Sequence, residues 1–314
     1  MGRRKADFSK PIIIDPQRYG VSFSVKQCRH FGIKPKTTLQ WLINDAGFRR
    51  FRLMSYWNEI EQTQGIYDFS NLDWQLDMAK RNGCLISLCL GVRQPRWPEN
   101  HWPDWAWELP KKERTAHLLH FIEKVVERYR DCDAIISYQL ENEALLKSFG
   151  ERPDVDRKRL RQEFQLVKQL DAKRPVIMST STAWGVPLRQ PIPDIVGFSY
   201  YRIVYSNGRY HRALHFPLID RLRTAAIHLL DDRPSFIHEL QLEPWGPKNI
   251  WEMPVTEQDK SMSVADIKRN IHLARRTGLH PVDLWGGEWW YWRLKHVYDP
   301  SIWLAVQTEL TRTE

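Results

Sequence analysis

Two glutamates stand where apolar, β-rich runs end: Glu143 closes AIISYQLENE (134–143), and Glu239 lies within SFIHELQ (235–241). An apolar strand that ends in a carboxylate carries that group to the rim of its sheet, because a lone charge left in the core is costly. A pair of rim carboxylates suits cleavage of a glycosidic bond. One must be held protonated to give a proton to the leaving oxygen, and the other must stay ionised to attack or stabilise the anomeric carbon. Each has competitors. Glu141 lies two residues before Glu143, while Glu243 and Glu288, the latter in WGGEWWYW, compete with Glu239. Glu288 reads better as a contact for sugar hydroxyls. Asn142 suits either a site or a helix cap, which its residue type favours.

Other chemistries lack their residue patterns. The histidines form no HxH or HExxH set at strand ends, no GxSxG marks a strand-to-helix turn, and neither GxGxxG nor GxxxxGK[ST] follows a strand. The expectation is a site with no metal or organic cofactor. Cys28, Cys84, Cys89 and Cys132 lack CxxC spacing and read as buried thiols in a reducing compartment.

The positioning elements follow from periodicity. Short β-rich runs cover 19–25, 48–56, 85–91, 134–143, 175–181, 194–201, 235–241 and 282–292, with helical patterns most evident over 71–82, 113–130, 155–173, 217–230 and 264–277. Several strands are apolar nearly throughout, as in a parallel sheet covered on both faces. Eight such strands with helical crossovers predict an α/β chain folded as a single (β/α)8 TIM barrel over residues 18–314, preceded by an N-terminal extension over 1–17. A doubly wound open sheet is the alternative. The loop 93–110 after the third strand holds Trp97, Trp102, Trp105 and Trp107 at what would be the functional rim. Of these, Trp102 and Trp105 are expected to line a sugar-binding cleft, since tryptophan stacks well on sugar rings.

Composition agrees with a folded globule. The 314 residues are 42% hydrophobic and 27% charged, and the +9 net charge is scattered along helices such as 155–174, which reads as a solvated face rather than a nucleic-acid footprint. Fifteen tryptophans favour a saccharide partner, an oligosaccharide or polysaccharide. No apolar run reaches the roughly 18–20 residues of a membrane span, and the first residues lack a secretory core. The chain as given reads as cytoplasmic, or as extracytoplasmic if an upstream leader or anchor was removed.

The Asn142-Glu143 pair ending the fourth strand and Glu239 on the seventh resemble the (β/α)8 retaining glycoside hydrolases of clan A, closest in pattern to the cellulase and mannanase family (glycoside hydrolase family 5). The resemblance spans the barrel and includes the stretch 59–83, similar to the clan's second barrel unit. It implies hydrolysis of β-linked glycosides by double displacement, with Glu143 as acid/base and Glu239 as nucleophile. Arg52 in FRLMSYW matches the family's second-strand arginine, Tyr201 in DIVGFSYY the tyrosine that hydrogen-bonds the nucleophile, and Trp285 in DLWGGEWW the sugar platform. Arg50 offers the same chemistry as Arg52, Tyr200 and Tyr201 point to opposite sides of a strand, and Trp285 also suits a core. The third strand ends in GVRQPRWP where the family shows a histidine, and Ser199 stands where β-glucosidase-like members show asparagine. A transglycosylase using the same glutamates and a non-catalytic glycan-binding barrel are the other readings.

Overall fold

The computed structural model describes residues 13–146, 149–180 and 189–312. Six parallel strands come first: β1 (Tyr19–Phe23), β2 (Arg50–Met54), β3 (Leu85–Leu90), β4 (Ile135–Leu140), β5 (Val176–Thr180) and β6 (Ile195–Tyr200). An antiparallel hairpin, β7 (Ile203–Ser206) and β8 (Arg209–Arg212), follows; then β9 (Ser235–Gln241) and β10 (Val282–Trp285) complete the sheet. Pairing runs β1-β2-β3-β4-β5-β6-β9-β10 and back to β1, so the (β/α)8 barrel is closed and its sheet has no edge strand.

Strand burial matches the apolar sequence: every residue of β1 and of β10 is buried. The helix Val264–Thr277 shows how the outer ring is laid on. Ser263 and Asp266 form a capping box at its start, Gly278 ends it at φ 73°, and Ile267, Ile271 and Ala274 form the stripe turned inward. Burying one such isoleucine stabilises the fold by roughly 1.5–3 kcal/mol.

All eight expected strands are present, with most ends within two residues and two displaced further. The fourth stops at Leu140, so Glu141, Asn142 and Glu143 lie in a turn. The eighth stops at Trp285, and the rest of 282–292 belongs to the helix Gly287–Lys295. The break falls at Gly286, φ 141°, where a Cβ would lie 2.6 Å from the Leu242 carbonyl oxygen; only glycine fits. The hairpin 203–212 and the helices Pro35–Asn44 and Ser301–Leu310 add to the expected elements. Of the expected extension 1–17, residues 1–12 lie outside the described residues, as does Ser181 at the end of the fifth expected strand. Ile14 is buried and its N–H donates to the Gly47 carbonyl at 2.9 Å.

Candidate active site

At the C-terminal ends of the strands a cleft of about 790 Å³ opens, lined by Glu143 and Glu239 together with Asn142, Tyr201 and Trp285. Five of the nine residues expected at the site therefore share one cavity. Arg52 lies behind it.

Glu239 is set by three strands. From β2, Arg52 donates through Nη2 to its Oε2 at 2.7 Å; just past β6, the Tyr201 hydroxyl donates to Oε1 at 2.6 Å. Arg52 is fully buried, and its Nε donates to Ser22 Oγ at 2.8 Å. A buried guanidinium needs a carboxylate partner, so this pairing fixes the orientation of Glu239. The alternatives go elsewhere. Arg50 donates to Asp283 at 3.1 Å, and the Tyr200 ring stacks on His215 with centroids 3.9 Å apart.

The turn after β4 separates the other two glutamates. Glu141 and Glu143 both take left-handed backbone, φ 49° and 44°. Glu141 turns into the protein, 1% exposed, and accepts the Val92 and Arg93 N–H groups at 2.8 and 3.1 Å. Gly91, φ 93°, permits that approach, since a Cβ there would meet Glu141 Oε1 at 2.6 Å. Glu143 instead faces the cleft, with its N–H donating to Ser179 Oγ at 2.9 Å. Burial, followed by the negative charge of Glu239, pushes the Glu143 carboxyl up to about 7, against the pull of the Ser199 hydroxyl, Arg93 and Arg52.

Asn142 caps no described helix. Its Oδ1 accepts from Gln139 Nε2 at 3.0 Å and Ser179 Oγ at 3.1 Å, and its Nδ2 donates to Glu99 Oε2 at 3.2 Å. Glu99 comes from the loop after β3 and lines the cleft; burial pushes its carboxyl to about 8, so it is largely protonated at neutral pH.

Three expected contacts lie away from the cleft. Glu288 is fully buried, accepting from Arg96 at 2.8 Å and from the Ser24 N–H at 2.5 Å. The Gly286 break turns it inward. Trp102, 3% exposed, and Trp105 pack on Trp57 with ring centroids 5.6 and 5.8 Å away, because the loop folds back through the short helix Asp104–Trp107. The Trp105 indole donates to the Glu61 carbonyl at 3.0 Å. From the same loop Trp97, half exposed, does line the cleft, as do Trp245 and Trp251 after β9. The Trp, Pro and Gly of LEPWGPKNIW after β9 carried the rim-loop signal that would have found these two. Arg96, from the loop after β3, also lines the cleft, and no pattern in the sequence marks it.

Among the described residues, no group of three His, Cys, Asp or Glu is placed to hold a metal ion, and no helix is long and apolar enough to cross a membrane. The four cysteines form no disulfide.

No protein-family model matches the sequence. The fold is similar to that of the cold-adapted β-galactosidase from Rahnella sp. R3, at TM-score 0.60 and 12% identity over 95% of this chain and 56% of that one. A GH5_18 protein from Streptomyces cattleya in complex with GlcNAc matches at TM-score 0.61 and 12% identity, covering 96% of this chain and 82% of its own. The glycoside hydrolase family 10 endo-β-1,4-xylanase from Gloeophyllum trabeum matches at 0.62 and 13%, covering 95% and 98%. This chain spans about half the length of the β-galactosidases it matches, 56% of the Rahnella chain and 52% of one from Halorubrum lacusprofundi. At these identities the likeness establishes a shared (β/α)8 barrel.

Proposed function

We propose that this protein hydrolyses β-linked glycosides or oligosaccharides with retention of anomeric configuration, through Glu143 and Glu239. One observation carries the reading: two carboxyl groups face one cleft in opposite electrostatic settings. Glu239 accepts from a guanidinium and a phenol, while Glu143 titrates near 7 and keeps a proton to give.

In the first step Glu239 attacks the anomeric carbon as Glu143 protonates the departing oxygen, breaking the C–O bond and forming a glycosyl ester. The ester carries no charge, so the repulsion that helped raise Glu143 is gone and its acidity increases. Glu143 then takes a proton from water, which attacks the same carbon and releases Glu239. Arg52 and Tyr201 hold Glu239 in line, and Glu99 and Asn142 line the cleft beside it. The chemistry asks for no metal or organic cofactor. The partner is a saccharide whose rings meet Trp97, Trp245 and Trp251 along the cleft.

The test is a panel of chromogenic β-glycosides and β-glucan or mannan oligosaccharides, with the anomer of the first product read by NMR. Retention is expected, as is loss of turnover in Glu143→Ala and Glu239→Ala. First release of the inverted anomer, or near-normal turnover in either variant, removes the mechanism. Products longer than the substrate would instead mark a transglycosylase.

A further inference from the structure

The proposed hydrolysis leaves Glu243 without a role. It lies in the loop after β9, is 6% exposed and lines the cleft. Arg96 donates through Nη1 to its Oε1 at 2.5 Å and through Nη2 to Glu288 Oε2 at 2.8 Å. The same guanidinium lies 3.8 Å from the centroid of the Trp285 ring. That face of Trp285 is therefore covered, and the cleft wall here is an ion pair stacked on an indole.

The second Glu243 oxygen, Oε2, is buried and accepts no hydrogen bond of full geometry among the described residues, the Trp285 side chain beside the carboxyl being only a weak donor. A buried carboxylate oxygen in that state is disfavoured until something donates to it. The local charges, one guanidinium against two carboxylates, disfavour an incoming anion and favour a neutral donor. A sugar hydroxyl is such a donor.

We propose that Glu243 is a specificity-determining residue whose Oε2 accepts a hydrogen bond from one hydroxyl of a neutral pyranoside in the cleft, with Arg96 as the positioning residue that holds it. The assignment rests on the glycosidase reading of the cleft and adds to it a ring recognised by a charged acceptor. A sugar lacking the hydroxyl leaves Oε2 without a full hydrogen bond, and a uronate sets a negative charge beside two carboxylates that share one guanidinium.

The experiment compares wild type with Glu243→Gln on a parent nitrophenyl β-glycoside and its single deoxy analogues at C2, C3, C4 and C6. A hydrogen bond to a charged acceptor corresponds to about tenfold to hundredfold in kcat/KM. One deoxygenation should cost wild type that much, and the variant less than about threefold, because its amide carbonyl stays on Arg96 and an N–H replaces the acceptor. Equal penalties at every position in both proteins overturn the proposal. Glu243→Asp, which keeps the charge but withdraws it, gives the same comparison if the amide variant does not fold. Should wild type hydrolyse no parent glycoside, the glycosidase reading fails separately. Calorimetric binding of methyl glycosides and their deoxy analogues then decides this proposal by the same criterion.

Discussion

Arg52 on β2 reaches Glu239 on β9 with Nη2 at 2.7 Å from Oε2, a charge pair made across the barrel interior with the guanidinium wholly removed from solvent. Breaking a buried pair from one side costs more than the pair contributes, because the survivor keeps its charge without a partner. Arg52→Met should destabilise the protein by about 3–5 kcal/mol in urea unfolding. Double replacement with Glu239→Gln should recover part of that loss. Additive single losses would show that the two groups are not coupled.

The pH profile follows from Glu143. Only its protonated form donates to the leaving oxygen, so kcat/KM should fall as pH rises through about 7. Part of the upward shift comes from Glu239, so Glu239→Gln should bring the Glu143 titration down, read by carboxyl carbon NMR in labelled protein. An unchanged midpoint would mean that burial alone sets the shift.

Glu141 and Glu143 should separate cleanly under substitution. Glu141→Ala orphans the Val92 and Arg93 N–H groups, and a stability loss of about 1–3 kcal/mol for each is expected from denaturant midpoints. Glu143→Ala should leave the midpoint close to wild type and remove turnover. The reverse pattern would exchange their roles.

The tryptophans divide in the same way. Trp102→Ala should cost about 3–5 kcal/mol of stability, since the ring sits in a packed aromatic cluster, and leave oligosaccharide affinity unchanged. Trp245→Ala should weaken binding by about 0.5–1.5 kcal/mol, roughly twofold to thirteenfold, at little cost in stability. Titration calorimetry on both variants checks the split, and weaker binding in the Trp102 variant would put that ring back among the sugar contacts.

Strand existence was legible because it is a local property: an apolar, β-branched run announces itself within a few residues, and eight of them with helical spacers leave few ways to close a sheet. Strand ends were less so. Glu141 and Glu143 have the same parity, and a strand continued through them would point both to one side. They part only because β4 stops at Leu140 and the chain turns through left-handed backbone held by Gly91, Ser179 and the Arg93 carbonyl. Likewise Glu288 reads as part of a strand until Gly286 breaks it.

By itself, then, the order of residues determined the barrel, the two strand ends that bear glutamates and the richness of aromatic side chains near the rim, all of which depend on neighbours in sequence. Tertiary structure decided between Arg50 and Arg52 and between Tyr200 and Tyr201 as partners of Glu239, in favour of the two that the resemblance implied, and it alone decided which tryptophans leave the core. Those choices depend on register between strands distant in the chain and on where buried charges find partners, such as Asp283 for Arg50 and Glu243 for Arg96. Pairing energies of that kind exist only once the sheet has closed.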